Sequence, residues 1–445
     1  MARMFGTDGV RGVANIELTA PLAFRLGQAA VRFQGPRILV GKDTRLSGDM
    51  LEAAVCSGIT SMGGTALVAG IIPTPAIALL AKQLDCDGGI VISASHNPPE
   101  YNGIKLFDGA GFKLPDEVED EIQAAIESGT LDADRPSGDA VGTIEYVEDA
   151  VDRYVAHAVD SILAQGTDFK GLKVALDCGH GASSVSSGRA LEALGAELFT
   201  MNDDFTGLDI NVECGSTNLA PLKAFVAETG ADIGIAHDGD ADRVMLVDNK
   251  GNEIDGDMME AVLALDMKQR GCLAGDTVVS TVMCNLGFVL CMKEQGITVK
   301  QTKVGDRYVL EKMREEGYGI GGEQSGHLIL LDYNSTGDGL MTAVQFLAAM
   351  RRLGMSAEEA SHVFTRLPQE LINVRVSDKE AVQTNEAVQA AVKAAEAAMG
   401  DTGRVLLRPS GTEPVVRVMV EAVSDEDCQR HCRTIADIVK AELGI

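Results

Sequence analysis

The chain has no tryptophan, and aromatic residues make up only 4% of its 445 positions. It lacks the stacking platforms that single-stranded nucleic acid needs. Basic residues are also in short supply: 38 Lys and Arg stand against 66 Asp and Glu, a formal charge of -28. Nucleic acids and anionic membranes need a basic face, so both are excluded as partners. No run of about 18 apolar residues occurs, and the start MARMFGTDGVRG has no apolar leader core. The nine cysteines contain no CxxC pair, which predicts reduced thiols in a soluble, cytoplasmic protein. Cys428 and Cys432, four apart, read as one surface of a helix.

What is present is a unit written three times. An apolar run followed by a polar loop recurs in RILVGKDTRLSG, TALVAGIIPTPA and GGIVISASHNPP, from Arg37, Thr65 and Gly88. It returns from Leu172, Ala196 and Ala231, and again from Asp276, Ile297 and Gly317. Helical patterns lie between these runs, as over Ser47 to Met62 and Leu219 to Glu228. The alternation predicts an α/β fold of three related mixed domains with mainly parallel strands. A β-α-β-β-α order over the last stretch predicts a smaller C-terminal α+β domain, with a helix over Lys379 to Met399. The expected boundaries are 1–150, 151–251, 252–367 and 368–445. The helix leading into the second domain is expected over Tyr146 to Gln165, and one from Gly256 to Arg270 opens the third. Ligands of such sheets sit beyond the carboxyl ends of the strands, where the polar loops fall.

Four loops carry chemistry. AHDGDADR sets Asp238, Asp240 and Asp242 at alternate positions, and an extended segment would turn all three carboxylates to one side. Oxygen-only ligation suits Mg2+ or Ca2+, and an octahedral ion would still need another ligand such as a phosphate oxygen. SASHNP ends an apolar strand on Ser95. His96 is its immediate neighbour, and on an extended chain the two side chains point apart, which speaks against a hydrolase triad. Phosphorylated, Ser95 would bring negative charge and oxygens able to complete the metal site. Lys105 follows on the next apolar run and is expected to project inward. GGEQSGH offers Glu323 and Ser325 for sugar hydroxyls and His327 for a proton near neutral pH. In LRPSGTEPVVR, Arg408, Ser410, Gly411, Thr412 and Arg417 have the composition of a phosphate nest. Arg11, Lys42, Arg45, Lys303 and Arg307 place further cations in strand-end loops, as an anionic small molecule would require.

FGTDGVRG, GKDTR, SASHNP, DGDADR, GEQSGH and RPSGTEP, in this order, resemble the α-D-phosphohexomutases over nearly the whole chain. The resemblance implies three α/β domains and a smaller fourth around a central cleft. It implies that Ser95 carries a phosphoryl group and, with Asp238, Asp240 and Asp242, holds one Mg2+. It assigns Glu323 and Ser325 to the sugar, Arg408, Ser410, Gly411, Thr412 and Arg417 to the non-reacting phosphate, and proton transfer to Lys105 and His327 without deciding between them. Arg243 is expected to neutralise the transferring group beside the metal, and Arg11, Arg45, Lys303 and Arg307 to meet the substrate. The implied reaction moves a phosphoryl group between O6 and O1 of a hexose through a 1,6-bisphosphate, which also primes the enzyme. Within the family, FGTDGVRG together with EQSGH points to glucosamine phosphates, which feed cell-wall amino sugars. Glucose or mannose phosphates are the alternative, and a metal-dependent sugar phosphatase is the alternative from another class. A small sugar phosphate is the expected partner, and a homodimer stays open.

Overall fold

In the computed structural model, which describes residues 3–6, 8–133, 135–410 and 414–445, the apolar runs become the strands of four sheets. The first contains β1 (Val10–Val13), β2 (Arg37–Lys42), β3 (Thr65–Ile71), β4 (Gly88–Ile92), β5 (Tyr101–Asp108) and β6 (Ile144–Tyr146), in the order β1-β5-β4-β2-β3-β6. The second contains β7 (Lys173–Asp177), β8 (Glu197–Met201), β9 (Ile233–His237), β10 (Val244–Asp248) and β11 (Glu253–Ile254), in the order β11-β10-β9-β7-β8. The third contains β12 (Thr277–Thr281), β13 (Thr298–Thr302), β14 (Ile320–Gly322) and β15 (Leu328–Leu330), in the order β13-β12-β14-β15.

The repeat is therefore topological as well as sequential. In each set the first strand lies centrally, paired in parallel with the second on one side and the third on the other. The third strand of each set, β4, β9 or β14, then turns back into an antiparallel neighbour, β5, β10 or β15. SASHNP, DGDADR and GEQSGH are those three reversals. Covered on both faces, β4 and β9 are buried throughout, which is why they read as unbroken apolar runs. Helices follow the local signals: Asp255 caps the helix Gly256–Gln269 by accepting from Met258 N at 3.1 Å, and Asp338 caps Gly339–Leu353 through Met341 N at 2.9 Å.

The molecule divides into two compact units. Residues 1–283 and 297–363 form the larger, with the three α/β layers. Residues 284–296 and 364–445 form the smaller, where β16 (Gln369–Arg375), β17 (Arg404–Pro409) and β18 (Val415–Glu421) make an antiparallel sheet in the order β16-β18-β17. The helices Glu386–Met399 and Asp425–Leu443 complete its core. The helix Leu286–Glu294 belongs to the same unit, where the buried Glu421 accepts from Asn285 Nδ2 at 3.1 Å.

Three local expectations change. Tyr146 ends a strand, and the following helix spans Ala150–Leu163. The stretch from Lys379 breaks at Asn385, whose side chain caps a new helix by accepting from Val388 N at 3.0 Å. Cys428 and Cys432 face the core, 1% and 0% exposed, because the apolar side of Asp425–Leu443 packs onto the sheet. No helix among the described residues is long and apolar enough to cross a membrane.

Candidate active site

β4 delivers Ser95 through a tight break. Ser93 Oγ accepts from Ser95 N at 2.9 Å, and Ser95 takes a left-handed φ of 53°. That reversal turns Oγ onto Asp238 Oδ2 at 2.6 Å while the residue stays buried, 1% exposed. It also overturns the extended reading of Ser95 and His96: bent this way, Oγ lies 3.3 Å from His96 Nδ1. His96 Nδ1 also accepts from Arg243 at 2.9 Å. Burial, with Arg243 and Arg11 beside it, lowers the His96 pKa and favours the neutral ring.

The acidic loop converges as expected but through a turn. Ala241 is left-handed at φ 54°, so the segment is bent where alternate positions on an extended chain had been foreseen. Asp238, Asp240 and Asp242 are buried, and ligand oxygens from the three lie within 4.8 Å of one another. Burial, then Asp242 and Asp240, push the Asp238 carboxyl well above its usual range. Asp240 Oδ1 and Asp242 Oδ1 are buried without a hydrogen-bond partner. Crowded carboxylates with orphaned oxygens and no sulfur or nitrogen donor fit a hard divalent cation. Gly239 permits the approach: a Cβ there would meet the Ser95 carbonyl oxygen at 2.7 Å.

Around this core runs a chain of alternating charge. Lys105, 1% exposed on β5, reaches Asp240 at 2.8 Å, Asp8 at 2.9 Å and Asp242 at 3.5 Å. Burial opposes its charge, but Asp240, Asp8 and Asp242 outweigh burial and raise its pKa. Lys113 links Asp8 and Asp306, each at 2.6 Å. His327 stands between Asp242 at 3.7 Å and Asp306 at 3.5 Å. Burial pulls the Asp242 carboxyl up, yet Lys105, His327 and Arg243 hold it well below the usual range. Asp8, Lys113, Asp242, Asp306 and His327 border a cleft of about 200 Å³ that also takes in Arg11, Arg243, Gly305 and Glu323. Glu323 Oε1 accepts from Gly305 N at 3.1 Å, which draws two loops of the third layer together.

Of the cations expected to meet substrate, Arg11 and Arg243 border the cleft. Arg45 does not. Its side chain is fully buried, paired with Asp43, and donates to the Ser95 carbonyl at 3.1 Å and the Asn97 carbonyl at 2.5 Å. Arg307 is spent on Asp116, on Glu119 at 3.3 Å and on the Leu114 carbonyl at 3.2 Å. Lys303 is exposed, 5.8 Å from the Tyr308 ring centroid, and Ser325 is also exposed; neither borders the cleft. Lys42 pairs with Asp49 at 2.6 Å and Glu52 at 3.1 Å.

Sequence reasoning missed Asp8, Lys113 and Asp306. Asp8 lay inside the quoted FGTDGVRG and Asp306 beside Arg307, so proximity to a motif was a usable signal; Lys113 gave none.

In the smaller unit Arg408 and Arg417 lie directly opposite each other on β17 and β18. Partial burial, then Arg417, lower the pKa of Arg408. Ser410 N donates to the Val415 carbonyl at 2.8 Å, closing the hairpin, and Lys379 Nζ reaches the Ser410 carbonyl at 2.6 Å. Lys379 is a cation of this loop that the motif did not include. Gly411 and Thr412 lie outside the described residues.

Comparison with known proteins agrees with this geometry. Family models for phosphoglucomutase/phosphomannomutase match alpha/beta/alpha domain I over residues 2–133, domain II over 152–251, domain III over 255–367 and the C-terminal domain over 371–438. The chain belongs to the phosphoglucomutase/phosphomannomutase family. It is 50% identical over 453 residues to a phosphoglucosamine mutase of Thermobifida fusca, covering all of both chains. It is 48% identical over 452 residues to that of Ruminiclostridium cellulolyticum, again covering all of both. Among solved structures, a phosphoglucomutase/phosphomannomutase family protein from Burkholderia thailandensis matches with a TM-score of 0.84 at 26% identity, covering 100% of this chain and 99% of that one.

Proposed function

We propose that this member of the family is an isomerase that interconverts glucosamine 6-phosphate and glucosamine 1-phosphate through a phosphoserine at Ser95 and a 1,6-bisphosphate. The observation that carries the reading is Ser95 Oγ set 2.6 Å from Asp238 at the rim of a buried acidic cluster. The relatives named phosphoglucosamine mutase support the amino-sugar substrate.

Asp238, Asp240 and Asp242, with the phosphate on Ser95, are the groups that would hold one Mg2+. Such an ion supplies electrostatic stabilisation of the transferring phosphoryl group. The chain's own residues do the rest. Ser95 Oγ gives its phosphoryl group to the sugar O1, forming the bisphosphate, and Ser95 is left as the hydroxyl. The bisphosphate turns over, and Ser95 Oγ takes the phosphoryl group from O6, releasing glucosamine 1-phosphate. Arg243 and Arg11 offset charge on the oxygens in flight. His327 is the group placed to accept the hydroxyl proton, and Lys105, held charged by its carboxylates, is the group placed to supply one. Glu323, which borders the cleft, contacts the sugar hydroxyls. The hairpin carrying Arg408, Ser410 and Arg417 binds the phosphate that is not reacting.

The test is kcat/KM on glucosamine, glucose and mannose 6-phosphates, with Mg2+ and a sugar 1,6-bisphosphate primer, alongside intact mass before and after phosphatase. The reading requires glucosamine 6-phosphate to be preferred and one phosphate to map to Ser95. Release of inorganic phosphate without isomerisation would replace it with a phosphatase.

A further inference from the structure

Residues 202–219 connect β8 to the helix Ala220–Thr229 with only one short helical turn, at Gly215–Thr217. A connection of this length without regular structure is uncommon in a compact domain unless it has a task. Nothing in the phosphoryl-transfer scheme employs it. Its course is nevertheless fixed: Asn202, Asn211 and Glu213 are all left-handed, and Asn211 N donates to the Gly179 carbonyl at 3.0 Å.

The side chain of Asn211 leaves its own domain. Its Nδ2 donates to the Ser95 carbonyl at 2.9 Å and to the Asn97 carbonyl at 3.1 Å. These are the two carbonyls that Arg45 holds from the other side. One guanidinium from the first layer and one amide from the second thus close on the same pair of oxygens. The missing side chain of Gly239 leaves room for both partners, since a Cβ there would lie 2.7 Å from Ser95 O and 2.9 Å from Asn211 Nδ2. Further links run alongside: Leu46 N donates to the Gly207 carbonyl at 3.0 Å, and Thr44 Oγ1 to the His180 carbonyl at 2.6 Å.

We propose that Asn211 is a positioning residue for phosphoryl transfer at Ser95. By sharing the Ser95 and Asn97 carbonyls with Arg45, it fixes the left-handed bend that presents Oγ to the Asp238 carboxylate. The inference rests on the phosphoryl-transfer reading and assigns it a residue outside the six motifs. Asn211 touches neither the sugar nor the transferring group, so its loss acts on the rate with bound substrate and spares substrate binding. A misplacement of about 1 Å in a reacting group costs on the order of a hundredfold in rate.

The experiment compares the full-length enzyme with Asn211→Asp and Asn211→Gly. The first keeps the shape and replaces the donor with an acceptor; the second removes the side chain at a φ that glycine tolerates. Steady-state kinetics with glucosamine 6-phosphate, Mg2+ and glucose 1,6-bisphosphate, together with thermal melts, give the readouts. The expected result is a fall in kcat of about ten- to a hundredfold in both variants, with KM within about threefold of wild type. A kcat within about twofold of wild type in either folded variant overturns the proposal. So does a fall in kcat matched by an equal rise in KM. Absence of isomerisation by the wild-type enzyme would instead overturn the phosphoryl-transfer reading.

Discussion

The charges around Ser95 and those of the C-terminal hairpin are arranged on opposite principles. In the larger unit Lys105, Lys113 and Arg11 each face a carboxylate, Lys105 fully buried and the other two half-buried. In the smaller unit Arg408 and Arg417 stand opposite each other, and neither has an ion-pair partner among the described residues. Like charges directly across a strand pair are destabilising. The first arrangement holds groups in place in the absence of substrate. The second leaves positive charge available for an anion.

If that contrast is right, damage to the first region should appear in kcat and damage to the second in KM. Ser95→Ala should have the largest effect, a fall in kcat of roughly 10^4- to 10^6-fold with the melting temperature little changed. Near-normal turnover in that variant would end the covalent scheme. Asp240→Asn comes next. It removes charge from the acidic cluster and a partner from Lys105, and should lower kcat by about 10^2- to 10^3-fold while raising the Mg2+ concentration needed for half-maximal rate. An unaltered Mg2+ titration would remove Asp240 from the metal site. Arg417→Ala should raise KM for the sugar phosphate about ten- to a hundredfold, in line with loss of a charge-assisted hydrogen bond, and leave kcat within about threefold. A fall in kcat at constant KM would break the comparison.

The smallest effect tests whether the regions differ only in their loops. Burial pushes the thiol of Cys178 in the larger unit and of Cys432 in the smaller unit up to about 12, from an ordinary 9. A thiol whose pKa is raised by folding stays protonated in the native state. The stability it contributes is complete below pH 9 and is lost as pH rises from 9 toward 12. At pH 10 each thiol should have given up about 1.4 kcal/mol relative to pH 8. Urea melts of Cys178→Ala and Cys432→Ala should each show a shallower alkaline decline than wild type. A decline unchanged in one variant would mean that its unit has the wetter core.

Much of this was legible in the sequence because burial leaves a pattern. β4 and β9 read as strands because both their faces are covered, and the acidic triad was visible from its spacing alone. What could not be read depends on contacts between layers. Arg11 and Arg45 were both expected in strand-end loops, yet Arg11 lies on β1 and borders the cleft, while Arg45 disappears beneath the Ser95 carbonyl. The difference arises where Thr44 and Leu46 meet the second layer at His180 and Gly207. The approach of Ser95 to His96 depends on a backbone bend to φ 53° at a serine, which no residue type announces. Lys113 joins Asp8, 105 residues before it, to Asp306, 193 residues after it.

One consequence follows from how nearly the charges around Ser95 cancel. Asp8, Asp238, Asp240, Asp242 and Asp306 stand among Lys105, Lys113, Arg11 and Arg243, with the three loop aspartates and Lys105 buried and the others half-buried at the cleft. A divalent ion adds two positive charges there, and a phosphate on Ser95 adds about two negative ones. Either guest alone leaves an imbalance that buried surroundings penalise, and together they restore the starting sum. On the proposed reading their affinities would be reciprocal: enzyme stripped of its phosphate would grip the cation loosely, and enzyme stripped of its cation would be a poor acceptor of phosphate.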